Sequence, residues 1–361
     1  MQKATLLLDD GTRLEGEAAG APGTVTGSLG LYTGGDYMNA LTDPSSDGHL
    51  CAFLMPTVGL WGVNTEHCET GKLWARGVIA RDICHSPRNW RSAETLEYYL
   101  RRNVITGISH IDTGSLYRYA AEKNIQKCAV VSSPGFTGWE ALRQKLAGFR
   151  YENSFPNAVK SSETYGPVRG AAAHVAVCDF GASHGLVRLL ASMRIRATLL
   201  PPYDAATIFL RGGYEGLIVP QGPGAPRNHP GISQSLLAVI EADAPLMGFG
   251  LGALFIASAY GARLKPMQSP HRGMWFPVQN ERSGLTVYTR QYHAQVLSDE
   301  LPGGLAVTHR CPVDGSSEGF RIEGRPVAGY QYLPCADIRL GGTGEMIHTL
   351  FALLKGDWKN G

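Results

Sequence analysis

From residue 174 onward, short apolar runs alternate with helical patterns, and this alternation constrains the fold more than any other feature. Residues 174–178, 197–200, 216–219 and 246–249 read as strands. The spacing of Leu186, Leu189, Leu190 and Met193, the run 232–240 and the apolar stretch 251–260 read as helices. Such an order predicts an α/β domain built on a doubly wound parallel sheet. Ligands of these sheets bind outside the carboxyl ends of the strands. That rule selects two loops, 220–225 and 249–254, as candidate site loops.

The first 150 residues follow a different rule. Residues 4–8, 50–55 (stopped by Pro56) and 77–80 read as strands, and 93–103, 116–123 and 139–149 as helices, so this half is expected to be β-rich. Between the halves, Asn153, Pro156, Asn157 and Gly166-Pro167 fall in a polar stretch without periodicity. The expected organisation is a domain at 1–150, a connector at 151–172 and a second domain at 173–361. A chain of 361 residues suits two domains. Its 45 glycines and 21 prolines imply many tight turns rather than low complexity.

Composition excludes several classes of function. The 33 basic and 31 acidic residues are interspersed, so no basic stripe offers itself to nucleic acid. No apolar run approaches the ~18 residues of a membrane span, and the opening Met1–Asp10 stretch reads as a first strand rather than a signal peptide. Seven cysteines lie scattered at 51, 68, 84, 128, 178, 311 and 335 without a C-x-x-C pair. An odd, scattered set argues against a disulfide framework and for a reducing, cytoplasmic setting. No His/Cys/Asp/Glu set shows metal-ligand spacing, so no metal and no cofactor is expected.

Four segments bear on chemistry. Gly248-Phe249-Gly250-Leu251-Gly252-Ala253 takes a strand into a helix through a tight turn. It is either a nucleophile elbow with glycine where Ser or Cys belongs, or a plain glycine-rich or phosphate-cradling turn. Gln221-Gly222-Pro223-Gly224 is either an oxyanion-stabilising loop or an ordinary turn. His293 and His271 each read as a base or ligand, or as a satisfied structural residue. Cys335 has Asp337 nearby, which disfavours the thiolate a nucleophile needs, so it reads as an inert thiol.

Taken in order along both halves, the segments resemble the small subunit of carbamoyl-phosphate synthase over essentially the whole chain. The N-terminal half carries Leu41-Thr42-Asp43-Pro44-Ser45, Gly62-Val63-Asn64, the run 75–82 and Ile111-Asp112-Thr113; the C-terminal half carries Asp179-Phe180-Gly181-Ala182, Gly222-Pro223-Gly224, the run 305–309, Asp314-Gly315 and Tyr330-Gln331. The resemblance implies a β-rich small-subunit domain followed by a class I glutamine amidotransferase-like domain. It also implies a large synthase subunit, or a paralogue of it, as partner. In that family a Cys-His-Glu triad hydrolyses glutamine, and ammonia passes to the large subunit.

Here the triad does not carry over. The family's Gly-x-Cys-Leu-Gly-His-Gln reads Gly248-Phe249-Gly250-Leu251-Gly252-Ala253-Leu254, so Gly250 replaces the nucleophile and Leu254 a glutamine contact. Its Gln-Gly-His-Pro-Glu reads Gln331-Tyr332-Leu333-Pro334-Cys335, so Leu333 replaces the base and Cys335 its orienting acid. Its Gln-Asn-His-Gly-Phe reads Gln291-Tyr292-His293-Ala294-Gln295, which alters the pocket at Tyr292, Ala294 and Gln295. Ser45, Gly222, Gly224 and Leu251 remain as remnants of pocket and oxyanion loop. No catalytic residue is therefore expected, since covalent amide hydrolysis needs nucleophile, base and orienter together. Losing a triad costs up to about 10⁶-fold. The implied function is a pseudo-glutaminase supporting an ammonia-using large subunit. The alternatives are a non-catalytic ligand-binding or regulatory paralogue, and relocated chemistry at Cys335 with His293 or His309. Tyr292, Tyr332 and Leu333 are expected to fill the old pocket.

Overall fold

A computed structural model describes residues 2–34, 37–150, 155, 162–181, 184–335 and 341–360, the last two by backbone alone. The chain divides into two compact units, Met1–Glu152 and Asn153–Gly361. Most of the 151–172 connector, Ala182 and Asp337 lie outside the described residues.

The first unit is a closed seven-stranded barrel. Its strands are β1 (Lys3–Leu8), β2 (Arg13–Gly20), β3 (Thr24–Tyr32), β4 (His49–Phe53), β5 (Gly77–Ile79), β6 (Thr106–Ser109) and β7 (Lys127–Val131). They close in the order β1-β2-β6-β5-β4-β3-β7. Period-two alternation explains the closure. Leu6 and Leu8 join Leu50, Ala52, Ile79, Ile108 and Val130 in one core, while Leu7 joins Ala129, Val131, Leu142 and Leu146 in another. Helices α1 (Tyr37–Thr42), α2 (Leu96–Arg102), α3 (Thr113–Lys123) and α4 (Trp139–Gly148) complete the unit. Short polar side chains start two of them: Thr95 accepts from Tyr98 N–H and Asp112 from Ser115 N–H. Asn124 ends α3 in the left-handed conformation.

The second unit carries β8 (Glu163–Tyr165), β9 (Ala173–Cys178), β10 (Ile195–Leu200), β11 (Gly216–Val219), β12 (Leu246–Phe249), β13 (Leu264–Asn280), β14 (Thr286–Leu297), β15 (Leu305–Arg310), β16 (Ser317–Ile322), β17 (Val327–Tyr330) and β18 (Tyr332–Leu333). Its helices are α5 (His184–Ser192), α6 (Ala205–Leu210), α7 (Pro230–Glu241), α8 (Leu251–Ala259) and α9 (Thr343–Lys355). All eleven strands form one sheet, β18-β14-β13-β15-β16-β17-β12-β11-β9-β10-β8. Only the run from β17 to β10 is parallel. Both faces of that run are buried: Ala176 and Cys178 enter a core with α6, α7 and α8, and Val175 and Val177 on the opposite face are equally inaccessible.

Two features differ from the sequence reading. The parallel sheet continues as an antiparallel extension through β13–β16, which the alternation of strands and helices did not reveal. Within the expected connector, Glu163–Tyr165 is an edge strand antiparallel to β10, its Thr164 hydroxyl 2.9 Å from that of Thr198. Among the described residues, no helix is long and apolar enough to cross a membrane.

Candidate functional site

The turn from β12 into α8 has the backbone of a nucleophile elbow. Gly250 stands at its apex with φ 54° and ψ −118°, a conformation costly for any residue with a Cβ. Its N–H donates to the Tyr330 carbonyl at 2.7 Å, and its own carbonyl accepts the first helical bond, from Ala253 N–H at 3.1 Å. The flanking glycines permit close approach. A Cβ on Gly248 would lie 2.7 Å from Ala253 N, and one on Gly252 would lie 1.8 Å from the Val219 carbonyl oxygen.

Where a nucleophile's side chain would rise, other atoms already stand. A Cβ on Gly250 would fall 1.9 Å from Gln221 Oε1 and 3.1 Å from Leu333 Cδ2. Gln221 Oε1 accepts a 2.5 Å hydrogen bond from Leu251 N–H, and Gln221 Nε2 donates to the Tyr292 carbonyl at 2.9 Å. In elbow folds the N–H after the apex is an oxyanion-hole donor. Here it is spent on a neutral amide of the same chain, at the positive end of α8. The sequence reading missed Gln221 as a participant, because its part depends on where a long side chain reaches across the sheet.

The structure places the remaining expected positions as follows. Leu333 and Tyr332 form β18, paired with Arg290 and Gln291 of β14. Both are buried, as are Leu251, Leu254 and Tyr292. Ala294 and Gln295 are half-buried further along β14. Gly222 has a packing reason to be glycine, since a Cβ there would lie 2.5 Å from Phe180 Cβ; Gly224 takes φ 88°. Cys335 is half-buried, and its N–H donates to Thr343 Oγ1 at 2.8 Å. Ser45 belongs to the first unit, in a single turn started by Asp43, whose Oδ1 accepts from Ser45 N–H at 2.8 Å and from its hydroxyl at 2.6 Å.

The two histidines proposed as partners for Cys335 are engaged elsewhere. His309 Nε2 lies 3.0 Å from Glu345 Oε1, and its Nδ1 lies 2.9 Å from Thr308 Oγ1. The bond to His309 holds the Glu345 carboxyl below its ordinary range against the opposing effect of burial. His293 faces Gln291 and Glu318. Sequence spacing showed no metal-ligating set; in the fold, His271, His293 and Glu318 converge in the antiparallel extension closely enough that they could hold an ion. They are far apart in sequence: the pairing of β13 with β14 sets His271 opposite His293, and Glu318 comes from β16.

Chemically, the elbow can neither form a covalent adduct at residue 250 nor take a proton at residue 333. Glycine has no side chain and leucine no titratable group.

Comparison with known proteins bears on both units. The chain offers two units for comparison, a closed seven-stranded barrel and an α/β unit with an elbow-like turn between β12 and α8. Residues 6–130 match the family model of the carbamoyl-phosphate synthase small chain, CPSase domain, and residues 176–348 that of glutamine amidotransferase class-I. The chain is 31% identical over 343 residues to the carbamoyl phosphate synthase pyrimidine-specific small chain of Lactiplantibacillus plantarum, covering 92% of this chain and 91% of that one. It is 30% identical over 354 residues to the small chain of Salmonella typhimurium, with 92% of each covered. The small chain of Escherichia coli K12 is 28% identical over 360 residues, again with 92% of each covered. The chain belongs to the carbamoyl-phosphate synthase small-chain family.

Proposed function

We propose that this chain is a pseudo-glutaminase: a small subunit that supports an ammonia-using carbamoyl-phosphate synthase large subunit, or a paralogue of it, without hydrolysing glutamine. One observation carries the reading. At Gly250 the nucleophile is absent, and Gln221 Oε1 lies on the Leu251 N–H that would stabilise an oxyanion. Acyl transfer needs that donor free for charge developing in the transition state, and one such donor is worth about 10²–10³ in kcat. Leu333 at the base position removes proton transfer as well. Ser45, Gly222, Gly224 and Leu251 are then remnants of a glutamine pocket, and Leu254, Tyr292, Ala294 and Gln295 its altered walls. The packing of Gly222 on Phe180 supports a structural reason for retaining the loop glycines.

The proposed division of labour follows the sequence boundaries, with 1–150 as the small-subunit domain, 151–172 as connector and 173–361 as the pseudo-glutaminase. The setting would be cytoplasmic, at the supply of carbamoyl phosphate for pyrimidine or arginine synthesis. The test is co-expression with a candidate large subunit. A stable complex that makes carbamoyl phosphate from ammonia, with no glutamate released from glutamine, is the expected result. Glutamate release that disappears in a Gln221 or Leu333 variant would overturn the reading.

A further inference from the structure

The antiparallel extension holds a buried polar assembly that the glutaminase reading does not use. His271 on β13, His293 on β14 and Glu318 on β16 are 6%, 5% and 0% exposed. His271 Nδ1 lies 3.4 Å from Glu318 Oε1, and His293 Nε2 lies 3.3 Å from Glu318 Oε2. Gln291 Oε1 stands between the rings, 2.6 Å from His271 Nδ1 and 2.9 Å from His293 Nε2. Glu318 Oε2 has no hydrogen bond of acceptable geometry, although it is fully enclosed. A buried carboxylate oxygen left in that state is costly unless a charge answers it.

We propose that His271, His293 and Glu318 form a binding site for one divalent transition-metal ion, with Zn²⁺ as the representative. Spacing is the first argument. Tetrahedral Zn²⁺ with bonds of ~2.0–2.1 Å separates its ligand atoms by about 3.3 Å; Glu318 stands 3.4 Å from His271 through Oε1 and 3.3 Å from His293 through Oε2, and one ligand atom from each of the three residues lies within 4.8 Å of the others. The outward ring nitrogens are the second. A metal-bound imidazole almost always gives its other N–H to a carboxylate or a carbonyl, which fixes its tautomer. His271 Nε2 lies 3.0 Å from Asp314 Oδ2, and His293 Nδ1 lies 3.2 Å from the Gln295 carbonyl. Ser316 Oγ donates to Glu318 Oε1 at 2.7 Å and orients the third ligand. Water takes the fourth corner, and Gln291 Oε1 gives up its hydrogen-bond contacts with the two ring nitrogens when the ion binds. Asp314 and Ser316 also line a cavity of about 320 Å³, which gives the ion a way in. Bound there, the ion ties β13, β14 and β16 together.

The experiment uses the whole chain, stripped with chelator and dialysed, and measures Zn²⁺ binding by calorimetry, metal content and thermal shift, with Co²⁺ as a spectroscopic probe. Expected are one equivalent of Zn²⁺, a raised Tm and the visible absorption of tetrahedral Co²⁺. Glu318→Gln and His293→Gln should lose all three. Asp314→Asn, at a residue that meets the far side of the His271 ring and accepts from Ser316 but is not itself a ligand, should bind about 10–100-fold more weakly. Circular dichroism of each variant separates lost binding from lost fold, and Asp314→Asn lies at the surface, where folding is least at risk. The second grouping at this place, His271 with Cys311 and Asp314, provides the opposing outcome. Binding that survives His293→Gln and disappears in Cys311→Ser overturns the assignment, as does wild-type protein that takes up no Zn²⁺ beyond Glu318→Gln.

Discussion

The Gln221 side-chain oxygen and the Leu251 backbone nitrogen stand 2.5 Å apart, so the chain caps its own elbow helix with a side chain from the neighbouring loop. Gln221→Ala removes that bond and the one to the Tyr292 carbonyl together. At about 0.5–1.5 kcal/mol per hydrogen bond, the expected loss of stability is roughly 1–3 kcal/mol, read as a lower midpoint in urea.

Gly250→Cys should not create a glutaminase. A Cβ would collide with Gln221 Oε1 and press on Leu333, and the backbone alone costs about 1–3 kcal/mol for a non-glycine residue. The variant is expected to be less stable than the parent and to release no glutamate. Adding Leu333→His and Cys335→Glu should still fall short of the same set combined with Gln221→Ala, in a coupled glutamate assay.

Gly222→Ala tests the packing explanation for the loop. With Phe180 Cβ 2.5 Å from the new methyl group, overpacking should cost about 1–3 kcal/mol. The cost should appear in denaturant unfolding of the isolated chain, without any ligand or partner.

Tyr332 is fully buried and its hydroxyl has no hydrogen-bond partner; burial and the nearby Tyr330, Glu345 and Glu318 hold it far above the ordinary tyrosine range. Tyr332→Phe deletes only that oxygen. The variant is expected to gain about 1 kcal/mol, because an unsatisfied buried polar group costs ~1–3 kcal/mol. A lower Tm would contradict this.

Glu345 carries a pH-dependent share of stability. Its pKa is lowered from 4.5 on folding, chiefly by the bond to His309. A depressed carboxylate stabilises above its unfolded value and loses that contribution as pH falls through the folded one. Stability should therefore decline below about pH 4.5 more steeply in the parent than in Glu345→Gln, in urea titrations from pH 6 to pH 3.

The sequence carried the parallel half of the second unit well, because buried strands and amphipathic helices each imprint a period there. It located Gly250 for the same reason, since a strand and a helix fix the turn between them. The antiparallel extension was harder. Strand β13 includes Pro266, Pro270 and Pro277, and its pairing with β14 shifts register between Pro266 and His271 and again between Gly273 and Phe276. Those irregularities erase the alternation that marks a strand. In the barrel, β2 reads Arg-Leu-Glu-Gly-Glu-Ala-Ala-Gly, half-exposed over most of its length, and offers no apolar run. The convergence of His271, His293 and Glu318 is tertiary, and nothing in their spacing announces it.

The glycine at the elbow has an evolutionary corollary. A side chain at that φ and ψ strains the backbone, and glycine relaxes it. With Gln221 seated on the helix, a cysteine at 250 would enter occupied space, and a histidine at 333 would replace a buried leucine. On the proposed reading, a triad could not be rebuilt here one residue at a time: the cysteine, the space it needs beside Gln221 and the histidine at 333 would have to arrive together.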